Sequence, residues 1–146
     1  MRLLDLPPVY LFACLVVAYW VGELAPVDLG AGARIAGTVV LWSGLGLMAL
    51  AAIEFLRVRT TPVPRQSPQA LITSGIFRIT RNPIYLGDAL VLAGLCLRWD
   101  ASLALVLVPL FVAFITRRFI HQEEQTLGAA FPESYPAYLT VARRWI

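Results

Sequence analysis

Charge is scarce in this sequence: only 14% of the 146 residues are charged, whereas 59% are hydrophobic. A soluble domain of average composition has about 25% charged residues. A chain this short leaves a large part of its surface in contact with solvent after folding, and so few charges cannot cover that surface. The composition therefore excludes a soluble protein and indicates one that folds in a lipid bilayer.

Metal-binding side chains are also scarce. The chain has one histidine, His121, and two cysteines, Cys14 and Cys96, which both lie inside apolar runs. Neither cysteine has a second ligand at metal-binding spacing, and cysteines in such runs usually act as small hydrophobic side chains. We expect no soluble second domain. We therefore expect neither a metal nor a nucleic acid as a partner.

Four segments are candidates for membrane spans, which need about 20 apolar residues. They cover residues 9–24, 35–55, 84–97 and 102–116, and the third contains Asp88. The last two are short, so a re-entrant hairpin is the alternative for them. The sequence predicts an all-α, polytopic membrane helix bundle of about four transmembrane helices.

Arginine supplies every one of the 12 Lys+Arg residues, and its distribution predicts the orientation. Cytoplasmic loops of membrane proteins carry an excess of basic residues. With four spans, one side carries only Arg34 and Arg98, and the other carries Arg2, Arg57, Arg59, Arg65, Arg78, Arg81, Arg117, Arg118, Arg143 and Arg144. We therefore expect a multi-pass protein of the cell inner membrane with both termini in the cytoplasm.

Two segments outside the predicted spans lie on the arginine-rich side. Residues 57–83 are rich in proline, which precludes a long helix. In residues 121–146, aromatic side chains recur about once per helical turn and predict a short cytoplasmic amphipathic helix. That helix is either an interfacial anchor or one wall of a site. We expect a single domain over 1–146, with an N-terminal helix pair (1–58) and a core (59–146).

Residues 44–49, GLGLMA, match the G-x-G-x-x-A pattern of dinucleotide-binding proteins. That pattern requires a preceding strand, whereas here it lies inside an apolar span. Close helix packing through small residues is the better interpretation. Small residues in this region also make an oligomer possible, although nothing in the sequence specifically indicates one.

Three polar clusters remain on the arginine-rich side: residues 81–87, Glu123 with Glu124, and Tyr135 with Tyr138 and Arg143. Ionisable residues at membrane depth are functional candidates by default. The alternative is a structural group of ion pairs that closes the bundle. The residues alone leave both interpretations open.

Residues 71–87, LITSGIFRITRNPIYLG, resemble the signature of the isoprenylcysteine carboxyl methyltransferase family, which is related to the phospholipid N-methyltransferases. The resemblance extends over residues 60–146 and includes an E-E-x-x-L segment and an F-x-x-x-Y-x-x-Y segment. Asn82 stands where eukaryotic members carry histidine, as is typical of bacterial members. The matching positions are Gly75, Phe77, Arg78, Arg81, Asn82, Pro83, Tyr85, Gly87, Glu123, Glu124, Leu127, Phe131, Tyr135, Tyr138 and Arg143.

The resemblance implies an S-adenosylmethionine-dependent methyltransferase that acts on a lipid-like or small membrane-partitioning acceptor, either a carboxylate, an amine or a thiol. It implies catalytic roles for Glu123, Glu124, Arg81 and Arg143. It implies cofactor contacts for Gly75, Phe77, Arg81, Asn82, Pro83, Tyr85, Gly87, Glu123, Glu124, Tyr135 and Tyr138. Asp88 either orients the acceptor head group or pairs with an arginine. An NADPH-dependent membrane reductase and a non-catalytic scaffold are the alternative functions.

Overall fold

A computed structural model of the chain describes residues 6–58 and 70–146, and within them it contains helices and no strand. The α-helices of these residues are α1 (Pro7–Leu24), α2 (Ala31–Val58), α3 (Pro83–Arg98), α4 (Leu107–Ile115), α5 (His121–Ala130) and α6 (Ser134–Val141). Short 3-10 helices occupy Gly75–Arg78 and Ser102–Val106, and a π-helical turn, Thr116–Ile120, joins α4 to α5. The predicted all-α class is confirmed.

Three helical segments in the described chain are long and apolar enough to cross a membrane: Pro7–Leu24, Ala31–Val58 and Ser102–Ala130. The first two cover the predicted spans at 9–24 and 35–55. The third extends well beyond the predicted end at residue 116. Helix α3 covers the predicted span at 84–97, but its 16 residues fall short of the usual 20. The total of four spans therefore stays a prediction.

Helices α2 and α3 pack antiparallel with their backbones in contact. A Cβ atom on Gly37 would lie 2.7 Å from the carbonyl oxygen of Gly94, and one on Gly44 would lie 2.7 Å from that of Gly87. Such close approach through small residues is typical of membrane helix pairs. The prediction that the small residues of 44–49 allow close helix packing is confirmed for Gly44. Gly46 takes no part in this contact, because a Cβ on it would have no neighbour within 4 Å.

The opposite side of α3 contributes to the main apolar core. Leu92 and Cys96 are fully buried there, together with Ala18 from α1 and Ile115 from α4. Large exposed apolar side chains lie instead on the outer sides of α1, α2 and α4, among them Phe12, Trp20, Trp42, Leu56 and Leu110. Helix α3 is thus enclosed on two sides, and this fixes the position of the polar residues near its N-terminus.

Ion pairs close the end of the bundle where α2 begins and α3 finishes. Arg34 lies 2.8 Å from Asp100 and 3.2 Å from Asp28, and the Val27 N–H donates to the Asp100 carbonyl at 2.8 Å. Arg34 and Arg98 lie at this end, as the charge distribution predicts, while Arg57 and Arg81 lie at the other. Which end faces the cytoplasm stays a prediction.

The C-terminal segment returns to the N-terminus of α3. The backbone of Arg143 accepts a hydrogen bond from the Arg81 N–H at 2.8 Å and donates one to the Ile79 carbonyl at 3.3 Å. Tyr135 and Tyr138 of α6 are buried, whereas Val141 is 65% exposed. Helix α6 therefore packs on the protein through its tyrosines. This favours its interpretation as one wall of a site over that of an interfacial anchor.

Candidate active site

The entry to α3 holds the site together. Pro83 is the first residue of α3, where its missing N–H leaves no helix hydrogen bond unmade. The Asn82 side-chain amide donates to the Arg144 carbonyl at 2.9 Å, and the Asn82 backbone N–H donates to the Thr80 hydroxyl at 3.2 Å. Asn82 thus ties the C-terminal segment to the beginning of α3.

Glu124 of α5 joins two arginines from different parts of the chain. Arg144 donates to both oxygens of its carboxylate, at 2.9 and 2.7 Å, and Arg81 Nη2 lies 3.3 Å from Oε1. Paired donation of this kind is the strongest arrangement between a guanidinium and a carboxylate. The hydrogen bonds with Glu124 raise the pKa of Arg144, which stays charged.

Glu123, the neighbouring carboxylate, faces a different partner. The Tyr85 hydroxyl of α3 donates to Glu123 Oε1 at 2.6 Å. Successive residues of a helix point about 100° apart, so Glu123 reaches α3 while Glu124 reaches the C-terminal segment. The π-helical turn just before α5 sets the directions in which Glu123 and Glu124 point, because a π turn inserts one extra residue into the helix.

Two buried donor groups at this site have no hydrogen-bond partner within residues 6–58 and 70–146. They are Arg81 Nε and the Tyr135 hydroxyl, and Tyr135 is only 6% exposed. Burial raises the pKa of Tyr135 and raises that of Tyr138 to about 12, so both phenols keep their protons at neutral pH. Buried polar groups are almost always paired, so these two are available to a ligand.

The site thus has two centres of different composition. The Glu124 centre, made of Arg81, Glu124, Tyr135 and Arg144, contains two guanidinium groups and one carboxylate. The Glu123 centre, made of Tyr85, Asp88 and Glu123, contains two carboxylates. Neither of these carboxylates forms an ion pair in the part of the chain that the structure describes, so Asp88 does not pair with Arg81.

Several predicted cofactor residues lie apart from both centres. The ring of Phe77 packs edge-on against Phe55 with centroids 5.6 Å apart. Gly75 has φ +56° and no room for a Cβ beside the Glu54 carboxylate. A Cβ on Gly87 would lie 2.8 Å from the Gly44 carbonyl oxygen. These residues shape the scaffold around the site, and their direct contact with a cofactor stays a prediction.

The Tyr138 hydroxyl is occupied, because it donates to the Phe77 carbonyl at 2.7 Å. The Arg143 side chain is exposed, and the neighbouring Arg144 pairs with Glu124. The catalytic role that the resemblance implies for Arg143 stays a prediction. Consecutive residues of extended backbone point to opposite sides, so only one of the two arginines can face the site. The sequence shows the pair but not which member faces inward.

A protein-family model matches a large part of the chain. The model of the family described as Phospholipid methyltransferase matches residues 33–134, which is more than half of the chain and includes Arg81, Tyr85, Glu123 and Glu124. No curated protein matches the chain, and no solved structure does. The matched region begins inside α2 and contains both carboxylates of α5. The chain therefore belongs to the phospholipid methyltransferase family and is a membrane methyltransferase.

Proposed function

We propose that the protein transfers a methyl group from S-adenosylmethionine to a lipid-like or small membrane-partitioning acceptor at the cytoplasmic face of the membrane. The observation that carries this proposal is the pair of unpaired, buried donors, Arg81 Nε and the Tyr135 hydroxyl. A carboxylate is the ligand group that such donors bind best, because hydrogen bonds to a charged acceptor are about twice as strong as neutral ones. S-adenosylmethionine has one carboxylate.

The charges of the two centres match the charges of this cofactor. The Glu124 centre would hold the carboxylate, since Arg81 keeps an unused donor while its Nη2 pairs with Glu124. The Glu123 centre would attract the sulfonium and ammonium groups, both directly and through the face of the Tyr85 ring. When bound, the sulfonium supplies an electrophilic methyl group.

The chain's own residues then align and shield the reacting groups. Methyl transfer needs the acceptor in line with the breaking carbon–sulfur bond, and holding the reactants in that geometry is a large part of catalysis. Enclosure by α3, α5 and α6 excludes water from the buried donors. A carboxylate acceptor needs no base, whereas an amine or thiol acceptor must lose a proton, for which the half-buried Glu123 of α5 is the candidate base.

The test follows labelled methyl groups into lipid. The purified protein is placed in vesicles made from a total lipid extract and incubated with methyl-labelled S-adenosylmethionine. We expect label in the lipid fraction, and we expect Tyr135→Phe to raise the KM for S-adenosylmethionine about tenfold, the value of one hydrogen bond to a charged group. Because the Tyr135 hydroxyl bonds nothing in the described chain, the variant should fold as well as the wild type.

Arg117→Gln is the matched control for Arg81→Gln. Arg117 is exposed in the π-helical turn and forms no described hydrogen bond with Glu123 or Glu124. Its replacement should leave the KM unchanged, while Arg81→Gln should raise it strongly. Equal effects of the two substitutions, or no labelled lipid with folded wild-type protein, would contradict the proposal.

A further inference from the structure

Glu54 is a buried carboxylate that lies outside both centres of the site. It is 5% exposed and belongs to the last turns of α2, a helix apolar enough to span a membrane. The Ser74 hydroxyl donates to its Oε2 at 2.6 Å, and Arg57 Nη1 donates to its Oε1 at 3.0 Å. Among the described residues, Glu54 makes no hydrogen bond or ion pair with either centre. A buried ionisable group in a membrane bundle is costly to keep and usually has a functional role.

The contact with Ser74 fixes the beginning of the 3-10 helix that starts at Gly75. Gly75 has φ +56°, a conformation that glycine adopts without strain, and a Cβ on it would collide with the Glu54 carboxylate. Phe77 of the same 3-10 helix packs edge-on against Phe55. Neighbouring residues of α2 thus hold this 3-10 helix at two points, one through a hydrogen bond and the other through a ring contact.

The same 3-10 helix also holds α6. The Phe77 carbonyl accepts a hydrogen bond from the buried Tyr138 hydroxyl at 2.7 Å. Tyr138 follows Tyr135 by about one turn of α6, and the centroids of their rings lie 6.3 Å apart. Tyr135 carries one of the two unpaired donors of the site. Contacts therefore run without a gap from Glu54, through the 3-10 helix, to the residue that carries this donor.

We propose that Glu54 is a positioning residue that sets the place of the Tyr135 hydroxyl in the cofactor site. It acts through Ser74, the 3-10 helix and Tyr138, and it touches neither the cofactor nor the acceptor. This inference rests on the proposed function. It adds to the site a residue of α2, a helix that contributes no residue to either centre.

A carboxylate suits this task because the contacts it makes are directional. Apolar packing is non-directional, so the contact of Phe77 with Phe55 alone does not keep the 3-10 helix from sliding over α2. A hydrogen bond weakens steeply as its angle departs from linear, and the bond between Glu54 and Ser74 prevents that movement. A misplacement of about 1 Å caused far from the reacting atoms can cost about 100-fold in rate. Loss of the Glu54 contact should therefore weaken cofactor binding without removing any group from the site.

The experiment is a double-mutant cycle on the Kd for S-adenosylmethionine, measured by calorimetry on the detergent-purified protein. Tyr135→Phe should raise the Kd about tenfold, the value of one hydrogen bond to a charged group. Glu54→Ala should also raise it about tenfold, because the displaced Tyr135 hydroxyl no longer meets the cofactor. The double variant should bind no more weakly than either single variant, since both changes remove the same hydrogen bond. Two residues that act independently would instead give factors that multiply to about 100-fold.

Two further variants test the contact from both of its ends. Glu54→Gln keeps the length of the side chain and a carbonyl oxygen that can accept from Ser74, so its Kd should stay within about threefold of the wild-type value. Ser74→Ala removes the same hydrogen bond while Glu54 keeps its ion pair with Arg57. It should repeat the effect of Glu54→Ala on the Kd, and it serves as the test if Glu54→Ala does not fold.

Gly37→Ala is the matched control within α2. A Cβ at Gly37 would lie 2.7 Å from the Gly94 carbonyl oxygen, at the end of the helix that is far from Glu54. This variant should lower Tm, but Tyr135→Phe should still raise the Kd about tenfold in its background.

The inference is overturned if Tyr135→Phe raises the Kd by the same factor in the Glu54→Ala or Ser74→Ala background as in the wild type. It is also overturned if Glu54→Ala and Ser74→Ala bind S-adenosylmethionine as tightly as the wild type does. A Glu54 that only stabilises the fold would lower Tm and leave the effect of Tyr135→Phe intact, as Gly37→Ala does. Failure of the folded wild type to bind S-adenosylmethionine would refute the proposed function, and with it this inference.

Discussion

Replacing Glu124 by glutamine removes the carboxylate that holds two guanidinium groups together beside α3. The Glu124 and Arg81 side chains are 18% and 14% exposed, while Arg144 is 38% exposed. Breaking a fully buried ion pair costs about 3–5 kcal/mol, whereas an exposed pair contributes about 0–1 kcal/mol. Because this cluster lies between those limits, we expect Glu124→Gln to lower the free energy of unfolding by about 2 kcal/mol.

The assay is thermal unfolding in detergent, followed by circular dichroism. For a chain of this size, 2 kcal/mol corresponds to a fall in Tm of about 4–8 °C. Glu133→Gln is the matched control, because Glu133 is exposed in the turn before α6 and pairs with nothing among the described residues. It should change Tm by no more than about 1–2 °C. Equal shifts for the two variants would refute the stabilising role of the Glu124 centre.

Three further predictions test the packing and the site. Gly44→Ala places a Cβ 2.7 Å from a carbonyl oxygen of α3 and should lower the free energy of unfolding by about 1–3 kcal/mol. Gly46→Ala has open space around the new Cβ and should stabilise the protein slightly. Chemical denaturation of the two variants measures the difference. Tyr138→Phe leaves the buried Phe77 carbonyl unpaired and should cost about 1–3 kcal/mol. Folding raises the pKa of Tyr138 from 10.0 to about 12. The protonated Tyr138 hydroxyl therefore stabilises the fold fully below pH 10, and this stabilisation is lost as the pH rises to 12. The Tm difference between the wild type and Tyr138→Phe should shrink over that interval. Deletion of Arg117 removes the extra residue of the π turn and rotates α5, so the variant should lose S-adenosylmethionine binding. Arg117→Gln keeps the residue count and should bind S-adenosylmethionine normally. Binding by both variants would refute the role of the π turn.

Much of the bundle is predictable from the sequence because apolar length and the placement of arginines are direct physical constraints. The spans at 9–24 and 35–55 correspond to α1 and α2. The end of the last long helix is not predictable in this way. Hydropathy falls near residue 116, but helical hydrogen bonding continues through the π turn to Ala130. A hydropathy pattern locates the apolar part of a helix, whereas its end depends on local hydrogen bonding.

The site is predictable as a set of residues but not as a set of contacts. The family resemblance indicates Arg81, Tyr85, Glu123 and Glu124 as site residues, and the structure brings all four together. The sequence does not reveal that Arg144 rather than Arg143 faces Glu124. That choice depends on the backbone pairing of Arg143 with Ile79 and Arg81. Pairing between segments distant in sequence has no local signal.

The sequence also does not reveal that the carboxylate of Glu54 is buried. The Ser74 hydroxyl donates to it at 2.6 Å and Arg57 lies 3.0 Å from it, so it anchors the segment that leads to α3. A single acidic residue at the end of an apolar span looks, in the sequence, like an ordinary boundary residue at the membrane surface. Only the fold shows that Ser74 returns to this position from 20 residues away.

Calorimetric titration of the detergent-purified protein with S-adenosylmethionine, with NADPH as the comparison ligand, tests the central claim most directly. The account predicts saturable binding of S-adenosylmethionine alone, weakened by both Arg81→Gln and Tyr135→Phe and unchanged in Arg117→Gln. Saturable binding of NADPH alone, or of neither ligand by folded protein, would contradict it.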